Sequence, residues 1–304
     1  MMLCFDIGGS QIKPGMAASM QDVEALPPIS TPLHDYEAFL DVILSQQQAA
    51  ARPLQALALS ITGLHNAEDG RLKCANIPCA DGRSLKQDLQ AATGLPVMIF
   101  NDANCFALAE AVSGAGAGHD NVFAIILGSG VGGAQVVGGK VVEGAGGVAG
   151  EWGHGSIVAT QFGQPPHSLP HLACGCGRSG CVNTVGGARG LEALHMILCG
   201  AKASSRAILK AWHEGDAAAA ATVSAYLELV AGPLAFAVNI TGASVVVAGG
   251  GLATDRQLIA EMDQAVRQRI LRQMREPLLV PGRHAEGAGL AGAAIGGFQR
   301  LAHG

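Results

Sequence analysis

The hydrophobic residues of this chain fall into short runs, and glycine-rich turns separate the runs. Near the N-terminus, residues 3–7 form one such run, which carries the carboxylate Asp6. Gly8-Gly9-Ser10 turns the chain, and residues 11–16 run back. Short apolar runs bounded by glycine are typical of buried strands. The pattern therefore predicts a strand that ends near a carboxylate, a tight turn and a return strand.

The same pattern returns in the second half of the chain. Residues 122–127 are apolar, the turn Gly128-Ser-Gly-Val-Gly-Gly133 follows, and residues 134–137 form a return strand. Two similar strand–turn–strand units in one chain indicate an internally duplicated architecture. The remaining patterns predict strands at residues 56–61, 97–100 and 244–248, and helices at residues 35–50, 101–112, 191–199, 217–240 and 257–273.

Strands and helices in both halves predict two α/β lobes. We expect an N-terminal lobe at residues 1–113, completed by a C-terminal helix over residues 287–304, and a C-terminal lobe at residues 114–286. The glycine-rich run 113–119 is the natural boundary. The length of 304 residues fits two domains, and 49% hydrophobic against 14% charged residues supplies a large core.

Composition and charge exclude several classes of protein. The 43 glycines follow no G-X-Y period, and the net charge of −5 without a basic run argues against a nucleic-acid partner. The N-terminus lacks the basic segment of a signal peptide. Residues 229–254 are uncharged, but Pro233, Asn239 and Gly242 interrupt them, so we expect a buried helix and a valine-rich strand rather than a membrane span. Eight cysteines without secretory context predict reduced thiols and a cytoplasmic location.

Three of the cysteines form the most informative motif of the chain. Cys174, Cys176 and Cys181 are separated by glycines that let the backbone bend, and His154 lies upstream in Gly150-Glu-Trp-Gly-His154. Zinc prefers four tetrahedral nitrogen and sulfur ligands, and a closed set of protein ligands is typical of a structural site. The alternative is three unrelated thiols in a glycine-rich loop.

The second glycine turn, residues 128–133, also fits the G-x-G-x-x-G pattern of dinucleotide-binding proteins. That pattern requires a helix directly after it, whereas the residues that follow here are typical of strand, turn and strand. Glycine turns between paired strands can instead point backbone N–H groups at phosphates. Two such turns, one in each lobe, predict an ATP site in a cleft.

Phosphoryl transfer to a hydroxyl needs a phosphate cradle, Mg²⁺ and a base for the attacking group. Asp6, beside the first glycine turn, is a candidate for the metal side, and the alternative is that it caps the turn. Asn101 and Asp102 follow a predicted strand and begin a predicted helix. Asp102 is either an N-cap or a base, and the amide of Asn101 is a candidate for binding a sugar hydroxyl.

Together these motifs resemble the ROK sugar kinases (repressor, open reading frame, kinase), which belong to the actin-like ATPase superfold. The resemblance covers nearly the whole chain, and the histidine motif followed by the three-cysteine cluster is its most specific part. It implies an α/β, two-lobed, actin-like ATPase (ribonuclease H-like) fold with a duplicated core and a central cleft. The other matching segments are Asp6-Ile-Gly-Gly-Ser10, Asn101-Asp-Ala-Asn104, Gly128-Ser-Gly-Val-Gly-Gly133, Gly249-Gly-Gly-Leu252 and Leu290-Ala-Gly-Ala-Ala294.

The resemblance also implies a role for each candidate residue, with Asp102 as the general base and Mg²⁺ as the catalytic ion. The sugar would be held by Gly63, Asn76, Asn101, Asp102, Glu151, His154 and Asn183. ATP would be bound by Asp6, Gly8, Gly9, Ser10, Gln11, Gly128, Ser129, Gly130, Gly132, Gly133, Gly249, Gly250 and Gly251. A structural Zn²⁺ would be held by His154, Cys174, Cys176 and Cys181.

The chain departs from the family's pattern at positions that bear on recognition. Asn183 stands where a sugar-binding Glu is usual, which removes a carboxylate near C1 and C2 of the sugar. Gln11 stands where Lys is frequent, which removes one possible phosphate contact. The loop before the cysteines is longer than usual and carries His167 and His171, and either is an alternative to His154 as the fourth zinc ligand.

The function that the resemblance implies is ATP-dependent transfer of the γ-phosphate to O6 of a hexose or N-acetylhexosamine. N-acetylglucosamine is the first expectation for the acceptor, ahead of glucose, N-acetylmannosamine and fructose, and a homodimer is implied. One alternative is a sugar-responsive regulator, which would carry a helix-turn-helix domain that we do not expect here. Another is a catalytically inactive sugar sensor, which is prompted by Asn183 and Gln11.

Overall fold

The computed structural model describes residues 1–65, 69–284 and 286–302. They form two compact units. The first unit contains Met1–Gly114, Gly139–Ala149 and the C-terminal segment from His284, and the second contains Ala115–Gly138 and Gly150–Arg283. The segment Gly139–Ala149 is therefore part of the first unit, although it lies within the residues that the sequence analysis assigned to the C-terminal lobe.

Strands and helices are distributed over both units. The strands are β1 (Met2–Ile7), β2 (Gln11–Ala17), β3 (Val23–Ala25), β4 (Ile29–Ser30), β5 (Ala56–Ile61), β6 (Leu64–His65), β7 (Leu72–Lys73), β8 (Val97–Asn101), β9 (Asn121–Leu127), β10 (Val131–Val137), β11 (Lys140–Val141), β12 (Gln161–Phe162), β13 (His167–Ser168), β14 (Val245–Gly249) and β15 (Leu279–Pro281). The α-helices are α1 (Tyr36–Gln48), α2 (Leu85–Thr93), α3 (Asp102–Ser113), α4 (Ala188–Cys199), α5 (Ser205–His213), α6 (Ala217–Thr241), α7 (Arg256–Arg267) and α8 (Ala288–Leu301).

The sheet of the first unit has the strand order β3-β2-β1-β5-β8, and β4 also pairs with β2. β1 is antiparallel to β2 and parallel to β5, which is parallel to β8. Because side chains alternate between the faces of a strand, Leu3, Phe5 and Ile7 pack with α1 and α2, whereas Met2 and Cys4 pack with α8. Helices thus cover both faces of this sheet, as expected for strands that are apolar throughout.

The second unit repeats this arrangement. β9 is antiparallel to β10 and parallel to β14, which is parallel to β15. These strands correspond to β1, β2, β5 and β8 of the first unit, so the predicted duplicated α/β core is confirmed. Side chains from α4, α5, α6 and α7 join those of β9 and β14 in one large hydrophobic core.

α6 is long and apolar enough to cross a membrane, judged by length and composition alone. It packs against α4, α5 and α7, and 56% of its most apolar window is buried inside the protein. Tyr226 is fully buried on this helix, which continues through Pro233. α6 and β14 are therefore the buried helix and valine-rich strand that the sequence predicted.

The segment Gly139–Ala149 is tied to α8. Gln299 Nε2 donates a hydrogen bond to the carbonyl oxygen of Gly139 (2.8 Å), and Arg300 forms an ion pair with Glu143. The guanidinium of Arg300 also lies 4.5 Å from the ring centroid of Phe100. These contacts join residues that are far apart in the chain, so local sequence patterns could not predict them.

The return strand β10 begins at Val131, earlier than predicted, so Gly132 and Gly133 lie within a strand rather than a turn. A Cβ on Gly133 would lie 2.6 Å from Trp152 Cδ1, and Trp152 Nε1 donates to the carbonyl oxygen of Gly132 (2.9 Å). Glycine within a strand often marks such a close approach. The helices α2 and α5, which have nine residues each, were not predicted from the sequence.

Candidate active site and metal centre

Asp6 lies near the end of β1, before the first glycine turn. Ser60 Oγ on the neighbouring strand β5 donates to Asp6 Oδ1 (3.2 Å). Burial raises the pKa of Asp6, whereas the charge of Lys13 and the hydrogen bond from Ser60 lower it. On α8, Gly289 packs so closely on the carboxylate of Asp6 that a Cβ there would clash with it. The carboxylate is therefore held between a strand and a helix.

The turn Gly8-Gly9-Ser10 links β1 to β2, which begins at Gln11. The N–H of Gly8 donates to the carbonyl oxygen of Gln11 (3.0 Å), and Thr31 Oγ1 donates to the carbonyl oxygen of Gly8 (2.7 Å). A Cβ on Gly9 would lie only 2.9 Å from the carbonyl oxygen of Asn76. The turn is thus anchored by Thr31, which the sequence analysis did not identify, and packs on the segment that carries Asn76.

Asn101 and Asp102 lie where β8 ends and α3 begins. Asn101 is the N-cap of α3, because its Oδ1 accepts from the N–H of Ala103 (2.8 Å), and its Nδ2 donates to the carbonyl oxygen of Gly63 (2.8 Å). Asp102 Oδ1 also accepts from the N–H of Ala103 (2.9 Å), and the hydroxyl of Thr62 donates to the Asp102 carboxylate. The N-cap position that sequence offered to Asp102 is therefore taken by Asn101.

Asp102 is a carboxylate with an unusual environment. Burial raises its pKa, and the negative charge of Asp6 raises it further, whereas hydrogen bonds from Thr62 and from the N–H of Ala103 lower it. A carboxylate with a raised pKa accepts a proton more readily than an ordinary aspartate. This effect of Asp6 indicates that the two carboxylates lie near each other within the first unit.

Gly63 stands at a position that favours glycine. Its φ is 132°, and a Cβ there would lie 2.5 Å from the carbonyl oxygen of Lys73. An L-residue would be strained at this φ and would also meet backbone. Asn101 bonds to the carbonyl oxygen of Gly63 and directly precedes Asp102, so these three residues lie close together. The segment that contacts Gly63, residues 73–74, leads on to Asn76.

In the second unit, the glycine turn between β9 and β10 is backed by the start of α4. The N–H of Gly128 donates to the carbonyl oxygen of Gly130 (3.0 Å). The N–H of Ala188 donates to the carbonyl oxygen of Gly128 (2.8 Å). A Cβ on Gly187 would lie 2.5 Å from the Cα of Gly130. The turn thus depends on close backbone packing, and Ser129 lies at its tip.

The glycine segment Gly249-Gly250-Gly251 follows β14 and packs on this turn. Gly250 has a φ of 88° and a ψ of 174°. A Cβ on Gly250 would lie 2.6 Å from the carbonyl carbon of Leu127 and 2.8 Å from the backbone nitrogen of Gly128. Two glycine segments that the resemblance assigns to ATP are therefore in backbone contact.

A cavity of about 770 Å³ lies beside these glycine segments, within the second unit. Its volume is that of a small-molecule site. It is lined by Gly128, Ser129, Ala188, Ser205, Arg206, Leu209, Lys210, His213, Glu214, Gly251, Leu252, Thr254 and Asp255. The helix α5, which forms one wall of the cavity, was not predicted from the sequence. Its sequence signal is the N-cap Ser204, whose Oγ accepts a hydrogen bond from the N–H of Ala207 (3.2 Å).

His213 joins α5 to the start of α7 at this cavity. Its Nε2 lies 2.6 Å from Asp255 Oδ2, and its Nδ1 lies 3.0 Å from Gln257 Oε1. Asp255 is also the N-cap of α7, because its Oδ1 accepts from the N–H of Leu258 (3.0 Å). The hydrogen bond to Asp255 raises the pKa of His213. One wall of the cavity is therefore held by a hydrogen-bonded acid–base pair.

The ligand atoms of His154, Cys174, Cys176 and Cys181 all lie within 4.8 Å of one another. Cys174 Sγ is 3.8 Å from His154 Nδ1, and Cys176 Sγ is 3.7 Å from Cys181 Sγ. A tetrahedral zinc ion with bonds of about 2.3 Å would hold its ligand atoms about 3.8 Å apart. The three thiols are thus neighbours in space, and the four residues fit a tetrahedral metal ion.

Two further histidines were candidates for this cluster. His171 Nε2 lies 3.2 Å from the carbonyl oxygen of Val158, and the ring of His167 stacks on Phe162 with 5.5 Å between centroids. Within the part of the chain that the structure describes, the cluster contains His154 and neither of these residues. The long loop instead contains the small hairpin formed by β12 and β13.

The histidine of the cluster has a second polar neighbour. His154 Nε2 lies 3.9 Å from Glu151 Oε2, while Nδ1 faces Cys174. The two ring nitrogens therefore face different partners, a thiol on one side and a carboxylate on the other. A histidine whose Nδ1 bound a metal would keep Nε2–H as a donor.

Hydrogen-bond donors surround the thiols. The pKa of Cys176 is lowered to about 6, mainly because its sulfur accepts a hydrogen bond from the backbone N–H of Arg178. Burial raises the pKa of Cys181. The N–H of Gly155 donates to Cys181 Sγ (3.4 Å), and Asn183 Nδ2 donates to Cys174 Sγ (3.7 Å). Such outer partners orient metal ligands and tune their affinity.

The predicted site residues are divided between the two units. The sugar candidates Gly63, Asn76, Asn101 and Asp102 belong to the first unit, and Glu151, His154 and Asn183 belong to the second. Of the ATP candidates, Asp6 to Gln11 belong to the first unit and the glycines of residues 128–133 and 249–251 to the second.

Comparison with known proteins identifies the family. The ROK family profile matches residues 2–296 of this chain. The N-acetyl-D-glucosamine kinase of Vibrio atlanticus (strain LGP32) is 34% identical over 296 residues, which cover 96% of this chain and 97% of that protein. The structure of a ROK hexokinase from Thermus thermophilus aligns with a TM-score of 0.84 at 28% identity, over 100% of this chain and 99% of that chain. That of a ROK family glucokinase from Streptomyces griseus, in complex with glucose and AMPPNP, aligns with a TM-score of 0.72 at 25% identity, over 96% and 97% of the two chains. These similarities confirm the actin-like ATPase fold, and the chain belongs to the ROK family.

Proposed function

We propose that this ATP-dependent carbohydrate kinase transfers the γ-phosphate of ATP to O6 of N-acetyl-D-glucosamine, with Asp102 as the general base. The observation that carries the proposal is the arrangement of Asn101 and Asp102 at the start of α3, beside Gly63. The acceptor is supported by the relative named N-acetyl-D-glucosamine kinase. Glucose is the second candidate, because the neighbour bound to glucose and AMPPNP is a glucokinase.

The proposed role of Asp102 follows from its contacts. The hydroxyl of Thr62 and the N–H of Ala103 fix the orientation of its carboxylate, which a base must have before a sugar hydroxyl arrives. Its raised pKa increases its affinity for the proton that the hydroxyl releases as it attacks the γ-phosphate. In this mechanism Asn101 orients Gly63 and the base together, because it bonds to both segments.

The nucleotide is proposed to lie in the cavity of the second unit, with its phosphates along the glycine turns. Backbone N–H groups of a glycine turn can approach phosphate closely and carry partial positive charge. Arg206 and Lys210 on α5 bring two positive charges to the cavity wall, where Lys210 also lies 3.7 Å from Glu214 Oε1. Asp6 is proposed to hold Mg²⁺, because its carboxylate supplies the oxygen ligands that this ion prefers; a bound Mg²⁺ neutralises phosphate charge in phosphoryl transfer.

The Cys₃His cluster is proposed to hold a structural zinc ion. A closed set of four protein ligands leaves no open position for catalysis, which is typical of structural sites. When bound, the ion would lock the ring of His154 and leave Nε2–H as a donor on the side of Glu151. A cytoplasmic location stays a prediction from the eight cysteines without secretory context. The homodimer implied by the resemblance stays a prediction.

The experiment that tests the function is a coupled ADP-release assay with Mg-ATP and a panel of hexoses and N-acetylhexosamines. We expect the highest kcat/KM with N-acetylglucosamine, and we expect Asp102→Asn to lower kcat by about 10²- to 10⁴-fold. The matched control is Asp41→Asn, the same change at an exposed position on α1, which should leave kcat unchanged.

The same assay tests the competing functions. Highest turnover with glucose would replace the proposed acceptor but keep the base. Saturable sugar binding by folded, metal-loaded protein that releases no ADP from ATP with any sugar of the panel would favour the inactive sensor. Unchanged kcat in Asp102→Asn would remove Asp102 from the role of general base.

A further inference from the structure

Asn183 connects three motifs of the second unit. Its Oδ1 accepts a hydrogen bond from the N–H of Val131 (2.8 Å), and its Nδ2 donates to Cys174 Sγ (3.7 Å). Its own backbone N–H donates to the carbonyl oxygen of Gly153 (2.8 Å). One half-buried residue therefore contacts the glycine turn, the cysteine cluster and the segment between Glu151 and His154.

The contact with the glycine turn is a tight one. Val131 follows Gly130 directly, and a Cβ on Gly130 would clash with Oδ1 of Asn183. Gly187 presses on Gly130 as well, since a Cβ on Gly187 would lie 2.5 Å from the Cα of Gly130. The position of the turn is therefore set by Asn183 together with the start of α4, and a shift of Asn183 must move the turn.

The contact with Cys174 requires a hydrogen-bond donor when the sulfur is a metal-bound thiolate. Asn carries both a carbonyl acceptor and N–H donors, whereas an ionised Glu or Asp only accepts hydrogen bonds. A side chain at this position can therefore bond to the N–H of Val131 and to the sulfur of Cys174 at once only if it has a donor. The Glu that is usual in the family would lack that donor.

We infer that Asn183 is a positioning residue that couples the metal centre to the phosphate-binding turn. The inference rests on the proposed function, because it takes the Cys₃His cluster as a metal site and residues 128–133 as a nucleotide site. A metal ion bound by Cys174 fixes the sulfur, the sulfur fixes the Asn183 amide, and the amide fixes the N–H of Val131. Metal occupancy and nucleotide affinity then depend on each other, and such coupling is reciprocal.

The alternative role for Asn183 is that of a direct sugar ligand, as the resemblance implies. Both polar ends of its side chain already have partners within the second unit. A sugar ligand would affect the sugar KM alone. A coupling residue would affect zinc retention and the nucleotide Kd, neither of which needs a sugar.

The experiment uses the full chain and Asn183→Asp, which keeps an acceptor for Val131 but removes the donor to Cys174. The matched control is Asn239→Asp, because Asn239 also lies in the second unit and its Oδ1 accepts from a backbone N–H, that of Leu271 (3.0 Å). Zinc affinity is measured by transfer of zinc from the loaded proteins to a chromophoric chelator. The nucleotide Kd is measured with Mg-ADP by calorimetry, on zinc-loaded and zinc-depleted protein.

In the wild-type protein, we expect zinc to tighten Mg-ADP binding by about 5- to 150-fold. In Asn183→Asp, we expect zinc affinity to fall by about 10- to 100-fold and the effect of zinc on Mg-ADP to fall close to none. With cobalt in place of zinc, the thiolate-to-metal absorption bands should shift in Asn183→Asp and stay unchanged in Asn239→Asp. That spectroscopic change reports on the metal ligands directly, even if the zinc-depleted protein unfolds.

Two results would overturn the inference while the proposed function stands. One is a wild-type protein that binds zinc and Mg-ADP independently of each other. The other is an Asn183→Asp variant with unchanged zinc affinity, cobalt bands and zinc effect on Mg-ADP. A wild-type protein that binds neither zinc nor Mg-ADP would instead refute the proposed function, and the inference with it.

Discussion

Gly250 and Gly251 offer a sharp test of how the two glycine segments of the second unit are built. The φ of 88° and ψ of 174° at Gly250 belong to a region that only glycine adopts without strain. A Cβ at Gly250 would also lie 2.6 Å from the carbonyl carbon of Leu127 and 2.8 Å from the nitrogen of Gly128, whereas a Cβ at Gly251 meets nothing within 4 Å. Gly250→Ala should therefore be destabilising, and Gly251→Ala is its matched control.

The size of the effect follows from two contributions. The backbone conformation of Gly250 costs an L-residue about 1–3 kcal/mol. Moving the backbone of Leu127 and Gly128 to admit the methyl group adds about 1–3 kcal/mol, as in overpacked cores. The sum, about 2–6 kcal/mol, corresponds to a fall in Tm of roughly 5–20 °C. Gly251→Ala should change the free energy of unfolding by no more than about 0.5 kcal/mol.

The assay is thermal unfolding followed by circular dichroism, without nucleotide, so that any contact between the new methyl group and ATP plays no part. A second reading, the Kd of Mg-ADP, should rise in Gly250→Ala because the displaced Gly128 begins the phosphate-binding turn. Equal Tm values for the two variants would refute the close packing of the glycine segments.

Further predictions concern titration, metal removal and the core. Because burial raises the pKa of Asp102, the acid limb of the kcat profile should lie above the value of about 3.9 for an ordinary aspartate. The same shift means that ionised Asp102 destabilises the fold above its pKa, so Asp102→Asn should raise Tm at neutral pH, and this gain should vanish below about pH 3.9. The hydrogen bond to Asp255 raises the pKa of His213. The pair therefore stabilises the fold fully below about pH 6.5, and this stabilisation is lost as the pH rises through the raised pKa. His213→Gln should lower Tm more in acid than in alkaline buffer. Cys176→Ser should abolish tight zinc binding, measured by chelator titration, and make Tm independent of added zinc. Tyr226→Phe should lower the free energy of unfolding by about 1–3 kcal/mol, measured in urea, because the buried hydroxyl donates to the carbonyl oxygen of Gly186 (2.8 Å).

Features that depend on local chemistry were predictable from the sequence. The strand, glycine turn and return strand appear in both halves, because apolar runs and glycines specify them locally. The cysteine cluster was predictable for the same reason: Cys174, Cys176 and Cys181 are close in sequence, and glycine lets the backbone fold them together. The choice of His154 over His167 and His171 could be made only from the three-dimensional arrangement.

Features that depend on distant contacts were not predictable. β10 begins at Val131, which pairs with Leu127, and Trp152 packs on Gly133 of this strand, a contact between residues that no local rule joins. One wall of the cavity comes from α5, a helix of nine residues. Its short polar sequence is hard to tell from that of a surface loop. Asn183 could be recognised as a departure from the family's pattern, but its link between Val131 and Cys174 required the structure.

The central claim is phosphorylation of N-acetylglucosamine at O6, and phosphorus–proton NMR of the product tests it most directly. After incubation of wild-type enzyme with Mg-ATP and N-acetylglucosamine, we expect the new phosphorus signal to correlate with the two H6 protons of the sugar, and we expect Asp102→Asn to give almost no such signal in the same time. A correlation with H1, H3 or H4, or no sugar ester at all from folded and metal-loaded enzyme, would contradict the claim.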